Sequence, residues 1–285
     1  DSLLASIISS ALDADKMDYL ERDSAHLGVP YGQSFDVDRL LASLCVSEDG
    51  RKLAVDSKGK VPAEMFIFSR YMMFSEVYWH HTVRAASCMV EYALEDYLMR
   101  VPHAPGELQT ILLSSSDDGL LRHIAEATPE QSVAHTLVER MLSPRRELYK
   151  RVVTYSRIYT EDWKRDAYER LYGASSAQLL ECRQRMAEVI SSLVSQPVTL
   201  DDILIDTPPR DKDHPETVDV RFARAQGQTS YPLNELSRVV AGVHNDFVAV
   251  VKKIRIFMAP HVAECAREKQ RPVEDALAAV IRETC

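Results

Sequence analysis

Glycine is scarce in this chain, nine in 285 residues, and neither Gly-x-x-x-x-Gly-Lys nor Gly-x-Ser-x-Gly occurs. Without them the chain has no glycine-rich phosphate cradle and no strained nucleophile turn, which excludes P-loop phosphoryl transfer and α/β-hydrolase acyl transfer. The five cysteines, Cys45, Cys88, Cys182, Cys265 and Cys285, include no Cys-x-x-Cys pair. That argues against a disulfide framework or a zinc knuckle and fits a reducing cytoplasm. No apolar run is long enough to span a bilayer, and nothing resembles a signal peptide. Positive charge is in deficit, 34 Lys and Arg against 43 Asp and Glu, with a formal net charge of -9 and a pI near 5.5. A broad nucleic-acid or anionic-membrane surface is thereby disfavoured, while a local basic pocket is not. An initiator Met is missing too: the chain opens at Asp1 and runs straight into core-like sequence, which implies an upstream part.

What is present is enough for a sizeable core: 46% of the residues are hydrophobic. The opening segment reads as one helix from Leu3 to Asp23, with Leu4, Ile8, Leu12, Asp15, Tyr19 and Asp23 within an arc of roughly 100°. A carboxylate in the middle of an apolar stripe must be paired, hydrogen-bonded or on a metal, so Asp15 is expected to face inward. Helical sequence follows at Phe35–Val46, and Arg51–Val61 reads as a hairpin turning at Gly59. From Pro62 to Arg100 the pattern is one long buried helix, followed by a Pro/Gly loop at Val101–Glu107. Further helices are expected at Asp117–Ala127, Pro129–Leu142, Thr160–Leu171 and Ser175–Leu193. Beyond Gln196 the composition turns strand-like at Val198–Ile205, Val218–Ala223 and Lys252–Met258, with a charged turn between the first two and a closing helix at Pro260–Glu283. The chain shows no internal repeat.

The segment from Leu12 to Gly32, LDADKMDYLERDSAHLGVPYG, carries Asp13, Asp15, Lys16, Asp18, Tyr19, Arg22 and Asp23 in the order Asp-x-Asp-Lys-x-Asp-Tyr-x-x-Arg-Asp. This resembles the last metal-ligand motif of the HD-domain phosphohydrolases, specifically the deoxynucleoside-triphosphate triphosphohydrolase (dGTPase-like) group. The likeness extends through FDVDRLLASLCV, through SRYMMFSEVYWHHTVR, RELYKRV and, more loosely, DILIDTP.

The resemblance implies that Asp15 ligates a divalent metal, that Lys16 and Arg70 hold substrate phosphates, that Tyr19 packs beside the deoxyribose with Asp23 accepting from its 3′-hydroxyl, and that Tyr78 contacts the sugar or the base. Arginine offers phosphate a bidentate fork that lysine cannot. A tyrosine ring against C2′ leaves no room for a 2′-hydroxyl. Where some relatives carry a glutamine after the second tyrosine, this chain has Trp79. Arg70, Phe74, Tyr78 and His81 recur at helical spacing and share one face. His80 and His81, as neighbours on a helix, point about 100° apart and make a poor metal pair. In regulated members the matching positions lie near a nucleotide effector site between subunits, together with Arg39, Arg145, Arg146 and Lys150. Those side chains read equally well as an anion pocket or as solvated charges.

The family's metal site is His…His-Asp…Asp, and no His-Asp dipeptide occurs in this sequence. One carboxylate alone holds a divalent ion weakly, so this chain by itself is expected to be inactive. The fold expected is mainly α, with the C-terminal portion of an HD-type helical domain over residues 1–195 and a small α+β subdomain over 196–285. For the whole protein the resemblance implies metal-dependent hydrolysis of deoxynucleoside triphosphates to deoxynucleoside and triphosphate, in a cytoplasmic homo-oligomer with a possible nucleotide effector. Two alternatives stay open: an HD phosphohydrolase for another phosphoester, and a non-catalytic nucleotide-sensing or oligomerising module.

Overall fold

The computed structural model describes residues 2–102, 104–158, 161–209, 218–224 and 227–285. In chain order its elements are α1 (Ser2–Ile8), α2 (Ala14–Leu27), α3 (Val37–Ala42), β1 (Leu44–Val46), β2 (Leu53–Asp56), α4 (Lys60–Met73), α5 (His81–Arg100), α6 (Ala104–Ser114), α7 (Asp117–Ala127), α8 (Val133–Leu142), β3 (Lys150–Tyr155), α9 (Asp162–Gly173), α10 (Ser176–Val194), β4 (Ile203–Asp206), β5 (Asp219–Arg224), β6 (Gly227–Pro232), α11 (Leu233–Leu236), α12 (Arg238–Asp246), β7 (Ile254–Met258), α13 (Pro260–Glu268) and α14 (Gln270–Thr284). The mainly helical class expected from the sequence is the one found.

The chain forms two compact units, Asp1–Trp79 with Pro209–Lys252 and His80–Pro208 with Lys253–Cys285. The expected boundary at 195/196 is therefore corrected, because each unit draws on chain from both sides of it. Strand pairing is the reason. β2 takes β5 as a parallel neighbour, while β7 pairs antiparallel with both β3 and β4.

In the first unit the sheet order is β1-β2-β5-β6, with β1–β2 and β5–β6 antiparallel. Its core joins Leu12, Leu20, Leu40, Phe66, Met73, Val220 and Leu233, and the Phe35 and Phe66 rings meet edge to face at 5.0 Å. Gly32 lies so close to α2 that a Cβ there would sit 2.0 Å from the Leu20 carbonyl oxygen, which ties the Tyr31–Gln33 turn to that helix.

The opening helix is not continuous. The chain breaks between Ile8 and Ala14, where the Asp13 side chain caps α2 by accepting from the Lys16 backbone N–H at 2.8 Å. A cap sits outside the helical repeat, so the periodic arc drawn through Leu4, Ile8, Leu12 and Asp15 does not survive it. Leu4 and Ile8 are exposed, and the buried face of α2 is Met17, Leu20 and Ser24. The hairpin also lies earlier than expected: Leu44–Val46 is a strand, and the turn to Leu53 is closed by Ser47 and Asp49 with Gly50 at φ 73°. Gly59 sits instead in a short 3₁₀ turn before α4.

The expected single helix from Pro62 to Arg100 is also interrupted. After Met73 the backbone widens into a π turn over Phe74–Tyr78, and α5 starts afresh at His81 with His80 as its cap, its imidazole accepting from the Thr82 N–H at 3.4 Å. Such single π turns are associated with functional sites.

In the second unit the sheet order is β3-β7-β4, and all five residues of β7 are buried. The core of this unit joins Tyr155 of β3 and Phe257 of β7 to side chains from helices α5, α7, α8, α9, α10, α13 and α14, including Met89, Tyr97, Leu137, Tyr168, Met186 and Leu277. Several boundaries move here. Thr128 ends α7 and Ser132 caps α8, so Pro129 does not open a helix. The closing helix is two, α13 and α14. The loop before α6 ends at Ala104, and the strand expected from Val198 begins at Ile203. Thr160 and most of the charged turn before Val218 lie outside the described residues.

Candidate functional site

Four of the expected site residues meet within the first unit. Tyr19 and Asp23 are one turn apart on α2; Arg70 lies in the last turn of α4, and Tyr78 ends the π turn that follows it. The Tyr78 hydroxyl donates to Asp23 Oδ2 at 2.8 Å, and the Tyr19 and Tyr78 rings stand edge to face at 5.8 Å. Phe74 packs on Tyr78 with centroids 5.2 Å apart, and the Arg70 guanidinium lies over Phe74, 5.5 Å from its centroid. The Nε of Arg70 is buried with no hydrogen-bond partner among the described residues.

Burial pushes the Tyr19 phenol above its ordinary value, opposed by the positive charge and hydrogen bond of Arg70, while Asp13 and Asp15 act in the upward direction. Burial, then the hydrogen bond and charge of Asp23, raise the Tyr78 phenol as well. Both phenols are thus protonated donors at neutral pH.

Asp15 does not sit as the helical spacing implied, and Lys16 is engaged elsewhere than at a phosphate. Asp15 is exposed rather than inward, which corrects the expectation drawn from the arc. The inward carboxylate is Asp13, 1% exposed, and it holds the Lys16 ammonium as well as the Lys16 and Ser10 backbone N–H groups. Lys16 is therefore paired within its own helix turn, and reaching a phosphate requires it to leave Asp13.

The donor set does not make a metal centre. Among the described residues no group of three or more His, Cys, Asp and Glu side chains is placed to hold an ion. Asp15 alone is a single exposed carboxylate, short of the six to eight oxygens a calcium takes or the octahedron a magnesium demands.

A second cluster lies within the other unit. His81 and Thr82 at the start of α5, Arg146, Leu148, Tyr149, Lys150 and Arg151 on the approach to and start of β3, and Arg267 of α13 line a cavity of about 540 Å³. Of the residues expected near an effector, His81, Arg146 and Lys150 are in this lining; His80 caps the same helix, with its ring centroid 4.2 Å from that of His81. Arg145 is exposed and outside the lining, and Arg39 is exposed on α3 of the first unit. The expectation that His80 and His81 diverge is corrected: the helix starts between them, so the two rings are not held at helical spacing.

Arg151 and Arg267 were not singled out from the sequence. Arg151 follows Lys150 directly and belonged to the RELYKRV signal, but Arg267 lies 116 residues further on and gives no local sign. None of Arg146, Lys150, Arg151 and Arg267 is in an ion pair among the described residues. Arg146 also holds a left-handed backbone at φ 44°, uncommon for a residue with a Cβ. In the cavity lining, Tyr149 is anchored by donating to the Asp201 carbonyl at 2.9 Å.

A buried charge cluster completes the unit. Asp206, fully buried at the end of β4, accepts from Arg84 Nη2 at 2.5 Å and lies 3.6 Å from Arg255 Nη1.

Comparison with known proteins fits this architecture. The family model described as the HD associated region matches residues 35–272, and the chain belongs to that family. An uncharacterised protein of Methanocaldococcus jannaschii is 36% identical over 157 residues, 54% of this chain and 32% of that protein. The deoxynucleoside triphosphate triphosphohydrolase SAMHD1 of Gallus gallus is 25% identical over 177 residues, 58% of this chain and 28% of that protein. A solved phosphohydrolase of Bacteroides thetaiotaomicron has a TM-score of 0.57 at 19% identity, covering 90% of this chain and 63% of that one. The fold is thus the mainly α HD-type phosphohydrolase fold with a small α+β part. The chain spans about a third of the length of these curated relatives. No helix among the described residues is long and apolar enough to cross a membrane.

Proposed function

We propose that this chain is part of an HD-family phosphohydrolase that converts deoxynucleoside triphosphates to deoxynucleoside and triphosphate. The observation that carries the reading is the meeting of Tyr19, Asp23, Arg70 and Tyr78 from two helices, with Asp23 fixed by the Tyr78 hydroxyl. The Tyr19 ring, with Tyr78 standing edge to face beside it, gives an apolar corner suited to a sugar lacking a 2′-hydroxyl. Asp23, oriented by Tyr78, has a second carboxylate oxygen for a sugar 3′-hydroxyl. Arg70 supplies phosphate-binding N–H groups beside them, and its Nε is already unpartnered. Lys16 joins once substrate phosphate competes with Asp13 for its ammonium. Asp15 is one candidate ligand for a divalent ion; the described residues supply no complete site.

In the same reading the cationic cavity of the second unit takes a nucleotide effector, in a homo-oligomer. What supports this is the concentration of four arginine and lysine side chains without ion-pair partners among the described residues, on a protein of net negative charge. The strained backbone at Arg146 points the same way, since such strain is concentrated at functional positions.

The test is a substrate panel with the full-length protein: deoxynucleoside triphosphates, ribonucleoside triphosphates and simple phosphomonoesters, with products resolved by phosphorus NMR. Triphosphate released from deoxynucleotides supports the reading. Turnover confined to phosphomonoesters assigns a different phosphoester to the fold, and no turnover of any substrate favours the sensing module.

A further inference from the structure

We propose that His81 makes the cationic cavity a proton-coupled anion site, in which a phosphate-bearing ligand binds together with a proton on the imidazole, so that occupancy rises as pH falls. This rests on the reading that the cavity takes an anionic ligand.

The argument is geometric first. His81 is the first residue of α5, in the wall of the cavity, and every other charged side chain in the lining is a cation: Arg146, Lys150 and Arg151 from the β3 side, and Arg267 from α13. The first turn of a twenty-residue helix adds its own partial positive charge, with Thr82 in the lining. From β7 comes Arg255, and from the helix itself His80 and Arg84. The buried carboxylate on this side, Asp206 of β4, is already engaged by Arg84 and Arg255.

With the cavity empty, His81 is a neutral base facing cations. Its burial, and the charges of Arg151, His80 and Arg255, hold its pKa below the usual histidine value. A bound dianion reverses the sign of the local field. The imidazole then gains both an opposite charge and an acceptor for its N–H, and it takes up a proton near neutral pH. Linkage makes the converse hold: whatever protonates His81 tightens the anion, by about tenfold for each unit by which the anion raises the histidine pKa. The neighbouring arginines cannot respond in this way, because they stay charged throughout. The Tyr149 phenol, raised by burial and donating to Asp201, keeps its proton over the same range.

Sulfate is the probe, because it does not titrate between pH 5 and 8 and so cannot itself supply the pH dependence. Its dissociation constant is measured by calorimetry at pH 5.5 and pH 8.0 at constant ionic strength, and the His81 ring resonance is titrated with and without saturating sulfate. The expected result is about tenfold tighter binding at pH 5.5, with the His81 pKa moved upward by sulfate. His81→Gln should retain binding but lose the pH dependence, His81→Lys should bind comparably at both pH values, and His80→Gln should keep the wild-type dependence. Equal affinity at the two pH values, an unmoved His81 resonance, or a dependence that disappears with His80 instead overturns the proton coupling and leaves the anion pocket standing. Failure of sulfate to bind at either pH, with Arg146→Gln and Arg267→Gln making no difference, removes the pocket and the coupling together.

Discussion

The Tyr78 hydroxyl donates to Asp23 Oδ2 at 2.8 Å, linking the end of the π turn after α4 to the middle of α2. A hydrogen bond to a charged acceptor contributes about 1.5–3 kcal/mol, and this one, being partly exposed, falls near the lower end. Tyr78→Phe should therefore lower unfolding stability by about 1–2 kcal/mol at neutral pH, as read from urea titration. The pH dependence has a defined sign. The phenol ionises near pH 10 in an unfolded chain. Folded, it is pushed higher by burial and Asp23. Its contribution is complete below about pH 10 and is lost as pH rises through the folded value. The wild type and Tyr78→Phe should thus converge in stability above pH 10, and a gap that stays constant there contradicts this role for the hydroxyl.

Asp13 and Asp15, two residues apart, should behave oppositely. Asp13 is the buried cap of α2 and the partner of Lys16, so Asp13→Ala should cost about 2 kcal/mol or more once the lost cap and the abandoned ammonium are both counted. Asp15 is exposed, and Asp15→Ala should shift stability by less than about 0.5 kcal/mol. In the full-length protein the same Asp15→Ala should abolish turnover. Equal destabilisation by the two variants, or an active Asp15→Ala enzyme, reverses the assignment.

How far the sequence disclosed the site follows from these residues. Tyr19 with Asp23, and Arg70 with Phe74 and Tyr78, were legible because each set lies within one helical stretch, where spacing of four translates directly into proximity. Their meeting across α2 and α4 came only through the resemblance. The cap at Asp13 is hidden in the sequence because the apolar periodicity runs on through Leu12 to Tyr19, so the break that turns Asp15 outward leaves no gap in the pattern. The strand at β3 was obscured by its charged residues. The pairing of β2 with β5 spans more than 160 residues and leaves no local trace. For the same reason the division into units could not be read from the change in composition near residue 196.

Asp206 sits fully buried between Arg84 and Arg255. Removing the carboxylate charge takes from both arginines their shared buried partner, leaving Arg84 with the more distant Glu91 at 3.6 Å, so Asp206→Asn should destabilise the second unit by about 3 kcal/mol. Urea denaturation followed by hydrogen exchange in β4 and β7 checks this, and a change below 1 kcal/mol, on the order of an exposed pair, shows that the two arginines are satisfied elsewhere.

Metal content should follow ligand number. The 285-residue chain, offering Asp15 with no surrounding donor set among the described residues, should retain well under one divalent ion per chain after desalting. Stoichiometric, chelator-resistant metal lost on Asp15→Ala means that other ligands of this chain have been overlooked.

The most direct measurement of the central claim is sugar discrimination by the full-length enzyme carrying Tyr19→Ala. The ratio of kcat/KM for a deoxynucleoside triphosphate to that for its ribonucleotide is compared with the wild type. If the Tyr19 and Tyr78 rings form the wall that excludes a 2′-hydroxyl, the ratio should fall by a factor corresponding to about 1–3 kcal/mol, with hydrolysis still measurable. An unchanged ratio in a folded, active variant means that Tyr19 only packs α2 against its neighbours, and that the cluster of Tyr19, Asp23, Arg70 and Tyr78 does not select deoxyribose.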